Sequence, residues 1–117
     1  RLGRAIPLLG LEGEISSAAA VVGVPFVREA FLDRGYLPDG SLVPRGRAGD
    51  LLHDSHVVAE RAIRLAVEGV VEAVDGSLVV ADAASLCLHG DSPAAVAMAR
   101  AVRAALDEAG VKVRAPW

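Results

Sequence analysis

His89-Gly90-Asp91 is the tripeptide best suited to chemistry in this chain. An imidazole moves a proton near neutral pH, and a nearby carboxylate can orient it or bind a metal. Gly90 would let a ligand approach the backbone closely. On the plainer reading, His89 is a polar strand terminus and Asp91 shares in capping the helix that follows. Glu29-Ala30-Phe31-Leu32-Asp33-Arg34 is the second cluster. Glu29 and Asp33 offer carboxylates as bases or ligands, and Arg34 can grip a carboxylate bidentately. The plainer reading is a solvated strand end with a local Asp33–Arg34 pair.

Other chemistry-bearing residues carry weaker signals. Arg45 and Arg47 stand in a Gly- and Pro-rich stretch, where they could clamp a phosphate or carboxylate or simply keep the loop soluble. His53 and His56 are three apart, but no third ligand stands at a diagnostic distance, so no metal is expected between them. Cys87 falls inside an apolar run and reads as inert packing. Gly-rich phosphate loops of the G-x-G-x-x-G or G-x-x-x-x-G-K-[ST] kind are absent.

Both leading clusters follow short apolar runs that read as buried strands. Val24-Pro25-Phe26-Val27 ends in charge at Arg28 and Glu29, and Ala84-Ser85-Leu86-Cys87-Leu88 ends at His89. An earlier run, Ile6 to Leu11, is closed by flanking Pro and Gly and is read as a strand. Helices are expected over Glu14 to Val22, stopped at Gly23, and from Asp54 or Ser55 to about Glu68, stopped at Gly69. In the second, Val58, Ala62, Leu65 and Ala66 would face inward, and Glu60, Arg64 and Glu68 outward. Asp75-Gly76-Ser77 between Val70–Val74 and Leu78–Ala81 is a hairpin signal. Ser92 as N-cap with Pro93 at N1 would open a last helix to Ala109, with Val96, Ala99, Val102, Leu106 and Ala109 on its apolar stripe. Residues 33–50 are a long loop, a type that is often functional. This order gives an α/β class with parallel strands, whose ligands bind beyond the strands' carboxyl ends. His89 and the Glu29–Arg34 segment are therefore expected to converge there.

The 117 residues suit one domain. Hydrophobic residues make up 53% and charged residues 23%, which excludes a disordered chain. The net charge of −3 argues against nucleic acid and an anionic membrane as partners, and the 3% aromatic content is poor for stacking on bases or sugars. One cysteine makes no internal disulfide. Ile15 to Val27 contains serines and Pro25 and falls short of the roughly 18 apolar residues of a membrane helix. No basic-then-apolar leader is visible, so a soluble, cytoplasmic protein is expected. The chain opens on Arg1 rather than Met, which suggests a processed or partial product.

Three segments together resemble one family. Glu29 to Tyr36 is similar to the E-A-F-A-D-R-x-Y of the LamB/YcsF family, Leu37 to Arg45 to its x-x-D-G-x-L-V-P-R, and Cys87 to Pro93 to its C-V-H-G-D-x-P. They occur in the family's order, and the final Ala-rich helix matches as well. The departures are Leu32 where Ala is usual, Gly35 where Arg is common, and Leu88 where Val is usual. The family's D-L-N-A-D-x-G-E, G-F-H-A-G-D, G-A-H-P and K-P-H-G segments, from its N-terminal half, do not occur here.

The resemblance implies that residues 1–117 are the C-terminal half of a single irregular β/α barrel domain, of the carbohydrate-deacetylase-like type with a β-hairpin insertion. It also implies ATP-dependent opening of 5-oxo-L-proline to L-glutamate as part of the A subunit of 5-oxoprolinase, placing the chain in carbohydrate-related hydrolase metabolism. The expected partners are subunits B and C and the N-terminal half. The expected cofactors are ATP, bound by the complete complex, and a divalent metal as a further candidate. His89, Asp91, Glu29 and Asp33 are the candidate proton-handling groups. Arg34 and Arg45 are the candidates for substrate binding. Two other readings stand beside this one: a non-catalytic half-barrel that pairs with a complement, and a metal-dependent deacetylase-like hydrolase with ligands from the other half.

Overall fold

Short runs of Val, Leu and Phe, each stopped by Gly, Pro or charge, form the strands of the computed structural model, which describes residues 3–117. The elements in chain order are β1 (Leu8–Gly10), α1 (Glu14–Val21), β2 (Phe26–Phe31), α2 (Ser55–Glu68), β3 (Val70–Glu72), β4 (Leu78–Val80), β5 (Ser85–Cys87) and α3 (Ala95–Glu108). β1, β2 and β5 make a parallel sheet in that order, with Leu8 beside Phe26 and Glu29 beside Ser85. β3 and β4 pair antiparallel across the Asp75-Gly76-Ser77 turn. Among the described residues no helix is long and apolar enough to cross a membrane.

The α/β class and the strand positions agree with expectation, but several details differ. β2 does not end before Arg28. It continues to Phe31, so Arg28 and Glu29 are strand residues. Glu29 and Ala30 pair with β5, and this ladder carries the strand past the point where hydrophobicity fades. α3 starts at Ala95, and Ser92 contributes only its carbonyl, which accepts from the Ala95 N–H. Its buried stripe is Ala95, Met98, Val102 and Leu106, while Val96, Ala99 and Ala109 are exposed. Val102 and Leu106 are common to the expected and observed stripes, and the difference lies at the ends, where Ala95 and Met98 replace Val96 and Ala99. On α2, Asp54 is the N-cap, accepting from the His56 and Val57 N–H groups, and Gly69 closes the helix in the left-handed conformation with φ 68°. Ala66 is exposed rather than inward.

The core lies between the helices and one face of the sheet. Val58, Ala62 and Leu65 of α2 meet Met98, Val102 and Leu106 of α3, together with Ala30 and Leu32 at β2 and Leu86 and Leu88 at β5. Alternation along a strand then sends Glu29, Phe31 and Asp33, and Ser85, Cys87 and His89, to the opposite face. Glu29, Phe31, Cys87 and His89 are only half buried there. The helices thus set which side of the sheet carries chemistry.

Candidate functional site

His89 lies two residues past β5, and Asp33 two residues past β2, its neighbour in the sheet. The Asp33 carboxylate accepts twice from His89. Its Oδ2 takes the backbone N–H at 3.1 Å, and its Oδ1 meets the ring Nδ1 at 2.8 Å. An ionised carboxylate only accepts, so Nδ1 is the donor, and in the neutral ring Nε2 is then the bare acceptor. Nε2 has no partner among the described residues, and the side chain is 28% exposed. The Phe31 ring packs edge-on against the imidazole, with centroids 5.1 Å apart and planes at 89°. A ring held at one edge by a carboxylate and on its face by an aromatic is poised to move a proton at its free nitrogen.

The expected convergence of His89 with the Glu29–Arg34 segment is therefore observed, but the pairing differs in detail. The carboxylate that meets His89 is Asp33, 56 residues away, not the adjacent Asp91. Asp91 is exposed in the turn before α3. Glu29 shares the open face, diagonal to Cys87 in the ladder. Burial, with the Glu29 and Asp33 carboxylates adding to it, pushes the Cys87 thiol above its ordinary pKa, so it stands protonated at neutral pH.

Arg34 is buried and faces its own loop. Its Nε donates to the Asp50 carbonyl at 3.1 Å and its Nη2 to the Val43 carbonyl at 2.9 Å. The guanidinium expected to grip a substrate instead braces residues 43–50. Arg45 stands exposed on that braced loop. His53 is exposed, and His56 Nε2 lies 3.2 Å from Glu60 Oε1 one turn along α2. Among the described residues no three His, Cys, Asp or Glu side chains converge as metal ligands would.

Two residues that sequence reasoning passed over hold this strand end. Arg61 donates through Nη1 to the carbonyls of Leu32 and Arg34 and through Nη2 to that of Glu72 at 3.4 Å. Burial pushes its pKa down, opposed by the fields of Tyr36, Glu72 and Asp33. Tyr36 is buried, and its hydroxyl accepts the Phe31 N–H at 2.9 Å. Burial raises the Tyr36 pKa above its ordinary value. A signal for Arg61 was present: it falls between Val58 and Leu65 on the inward stripe of α2, where a charge needs a dedicated partner.

The LamB/YcsF family model matches residues 1–117. A protein from Streptomyces griseus subsp. griseus, named as the A subunit of 5-oxoprolinase, is 53% identical over 114 residues, covering 97% of this chain and 46% of that protein. A protein of the same name from Kocuria rhizophila is 53% identical over 110 residues, covering 93% of this chain and 44% of that protein. The crystal structure of Lactam Utilization Protein from Thermus thermophilus superposes with a TM-score of 0.88 at 45% identity, covering 95% of this chain and 44% of that one. The chain spans about half the length of the curated relatives it matches.

Proposed function

Because this chain belongs to the LamB/YcsF family, we propose that it supplies part of the lactam-opening site in the A subunit of a 5-oxoprolinase, with His89 as the proton-transfer group. The observation that supports this most is the double acceptance by Asp33 from His89, which leaves Nε2 as the uncommitted nitrogen of the ring. Residues 1–117 would be one half of an irregular β/α barrel, and the open face of the β1-β2-β5 sheet would line its interior. The relatives are named as one lettered component of their enzyme, which supports partner subunits, and for these B and C are proposed.

A lactam is a poor electrophile whose ring nitrogen leaves badly without a proton. In the opening, water adds to the ring carbonyl carbon, the carbon–nitrogen bond breaks, and the nitrogen departs as an amine after gaining a proton. His89 Nε2 takes the proton from water and returns it to the nitrogen. Asp33 holds the imidazole in the tautomer that permits this and stabilises the imidazolium formed. Glu29, on the same face, is the second carboxylate near the reacting atoms. Arg45 is retained as the grip for the substrate carboxylate, on the loop that Arg34 braces. Asp33 meets His89 and Glu29 shares its face of the sheet, and two carboxylates are a poor match for a triphosphate. ATP, if used, would be held by another part of the proposed complex.

The test is ATP-coupled release of glutamate from 5-oxo-L-proline by the full-length A subunit with its partner subunits. His89→Ala should lower turnover by roughly 10²–10⁴-fold, the span of general acid–base catalysis. Undiminished turnover would remove His89 from the chemistry.

A further inference from the structure

We infer that Arg61 is a positioning residue for His89, one that fixes both of the groups orienting its ring. This rests on the proton-transfer reading above. Arg61 lies on α2, on the helix side of the sheet, and its hydrogen bonds go to backbone carbonyls rather than to the imidazole. Its Nη1 donates to the carbonyls of Leu32 and Arg34, the two residues that flank Asp33. The Asp33 carbonyl is tied in turn by the Leu52 N–H at 2.9 Å. The backbone that presents the Asp33 carboxylate is thus held at three successive residues, two of them by one guanidinium.

The second path runs through Tyr36. The Arg61 guanidinium sits over the Tyr36 ring, 5.7 Å from its centroid. The Tyr36 hydroxyl accepts from the Phe31 N–H. β1 ends beside Arg28, so Phe31 has no strand neighbour on that edge. The hydroxyl replaces the missing ladder partner and fixes Phe31, whose ring abuts His89. Arg61 therefore sets the carboxylate through one contact and the aromatic through the other. Neither path needs a carboxylate partner for Arg61; its acceptors are backbone oxygens and a π-face. Such a planar fork is not reproduced by a shorter amide.

The experiment uses the full-length A subunit labelled with 15N-histidine, with kinetics in the complete complex. Arg61→Gln should lower kcat by roughly 10–100-fold, the cost of a misplacement on the ångström scale, with KM within about twofold. Its His89 ring should shift from the Nδ1–H tautomer toward a mixture. Arg61→Lys should recover part of both. Val58→Ala, which opens the core one turn away on α2, should lower thermal stability and leave the His89 tautomer as in the parent. An Arg61→Gln protein with the parent tautomer and parent kcat would overturn the proposal. So would a Val58→Ala protein that reproduces the tautomer change, since Arg61 would then act through stability alone. If instead His89→Ala leaves turnover intact, the functional reading fails, while the tautomer spectra still decide what Arg61 does.

Discussion

Asp33 offers two oxygens to two donors of the same residue, and that symmetry can be broken by one atom. In Asp33→Asn a single acceptor oxygen remains, beside an NH2 that can only donate. The His89 backbone N–H cannot change its role, so the amide oxygen stays with it. The NH2 then faces Nδ1, which must accept, and the ring proton moves to Nε2. The expected outcome is a His89 15N spectrum of the Nε2–H form, with turnover in the full complex down by roughly 10²–10⁴-fold. A ring still protonated at Nδ1 would show that Asp33 does not set the tautomer. The same spectrum reports on Arg61→Gln, whose effect should be a mixture rather than a full reversal.

The loop between β2 and α2 behaves as an element in its own right. Gly35 donates to the Asp50 carbonyl and accepts from the Val43 N–H, so it is the point where both sides of the loop close. A Cβ placed there would lie 1.9 Å from the Gly49 carbonyl oxygen and 3.1 Å from Val43 Cγ2. Gly35→Ala must therefore push residues 46–50 away and break the Arg34–Asp50 bond. Destabilisation of about 1–3 kcal/mol is expected, as for other overpacked sites. Urea denaturation measures it, and hydrogen exchange should show faster exchange at the Leu52 amide, the donor to Asp33. A loss under about 0.5 kcal/mol, the scale of an ordinary surface change, would mean the loop yields freely to a side chain.

At the scale of the molecule, apolar surface is left uncovered. Val21 is 86% exposed, Val80 75% and Trp117 68%, and on the site face of the sheet Glu29, Phe31, Cys87 and His89 are only half buried. Parallel sheets are ordinarily covered on both faces. The 117-residue chain by itself is therefore expected to self-associate, seen as a concentration-dependent sedimentation profile with dye binding to exposed apolar surface. It is also expected to release no glutamate from 5-oxo-L-proline, in contrast to a full-length A subunit with its partners. A well-behaved monomer with robust release would contradict both expectations.

The strands, the three helices and the identity of His89 and Asp33 as polar groups at strand ends were legible from local pattern. Apolar runs stopped by charge, Gly after an amphipathic stretch, and Asp-Gly between β-rich runs are all short-range signals, and they carry across any fold that uses them. The choice of Asp33 over Asp91 as the carboxylate of His89 was not legible. Asp91 is nearer in sequence, but pairing of β2 with β5 brings Asp33 alongside, and strand register is a long-range property. The fate of Arg34 was hidden for the same reason: its acceptors are carbonyls of a loop whose path only the folded chain defines. The extension of β2 through Arg28 and Glu29 came from its ladder partner, which overrides local polarity. Arg61 lay between these cases. Its place on an apolar stripe marked it as exceptional, but only the packing of α2 against the strand end showed which carbonyls it serves.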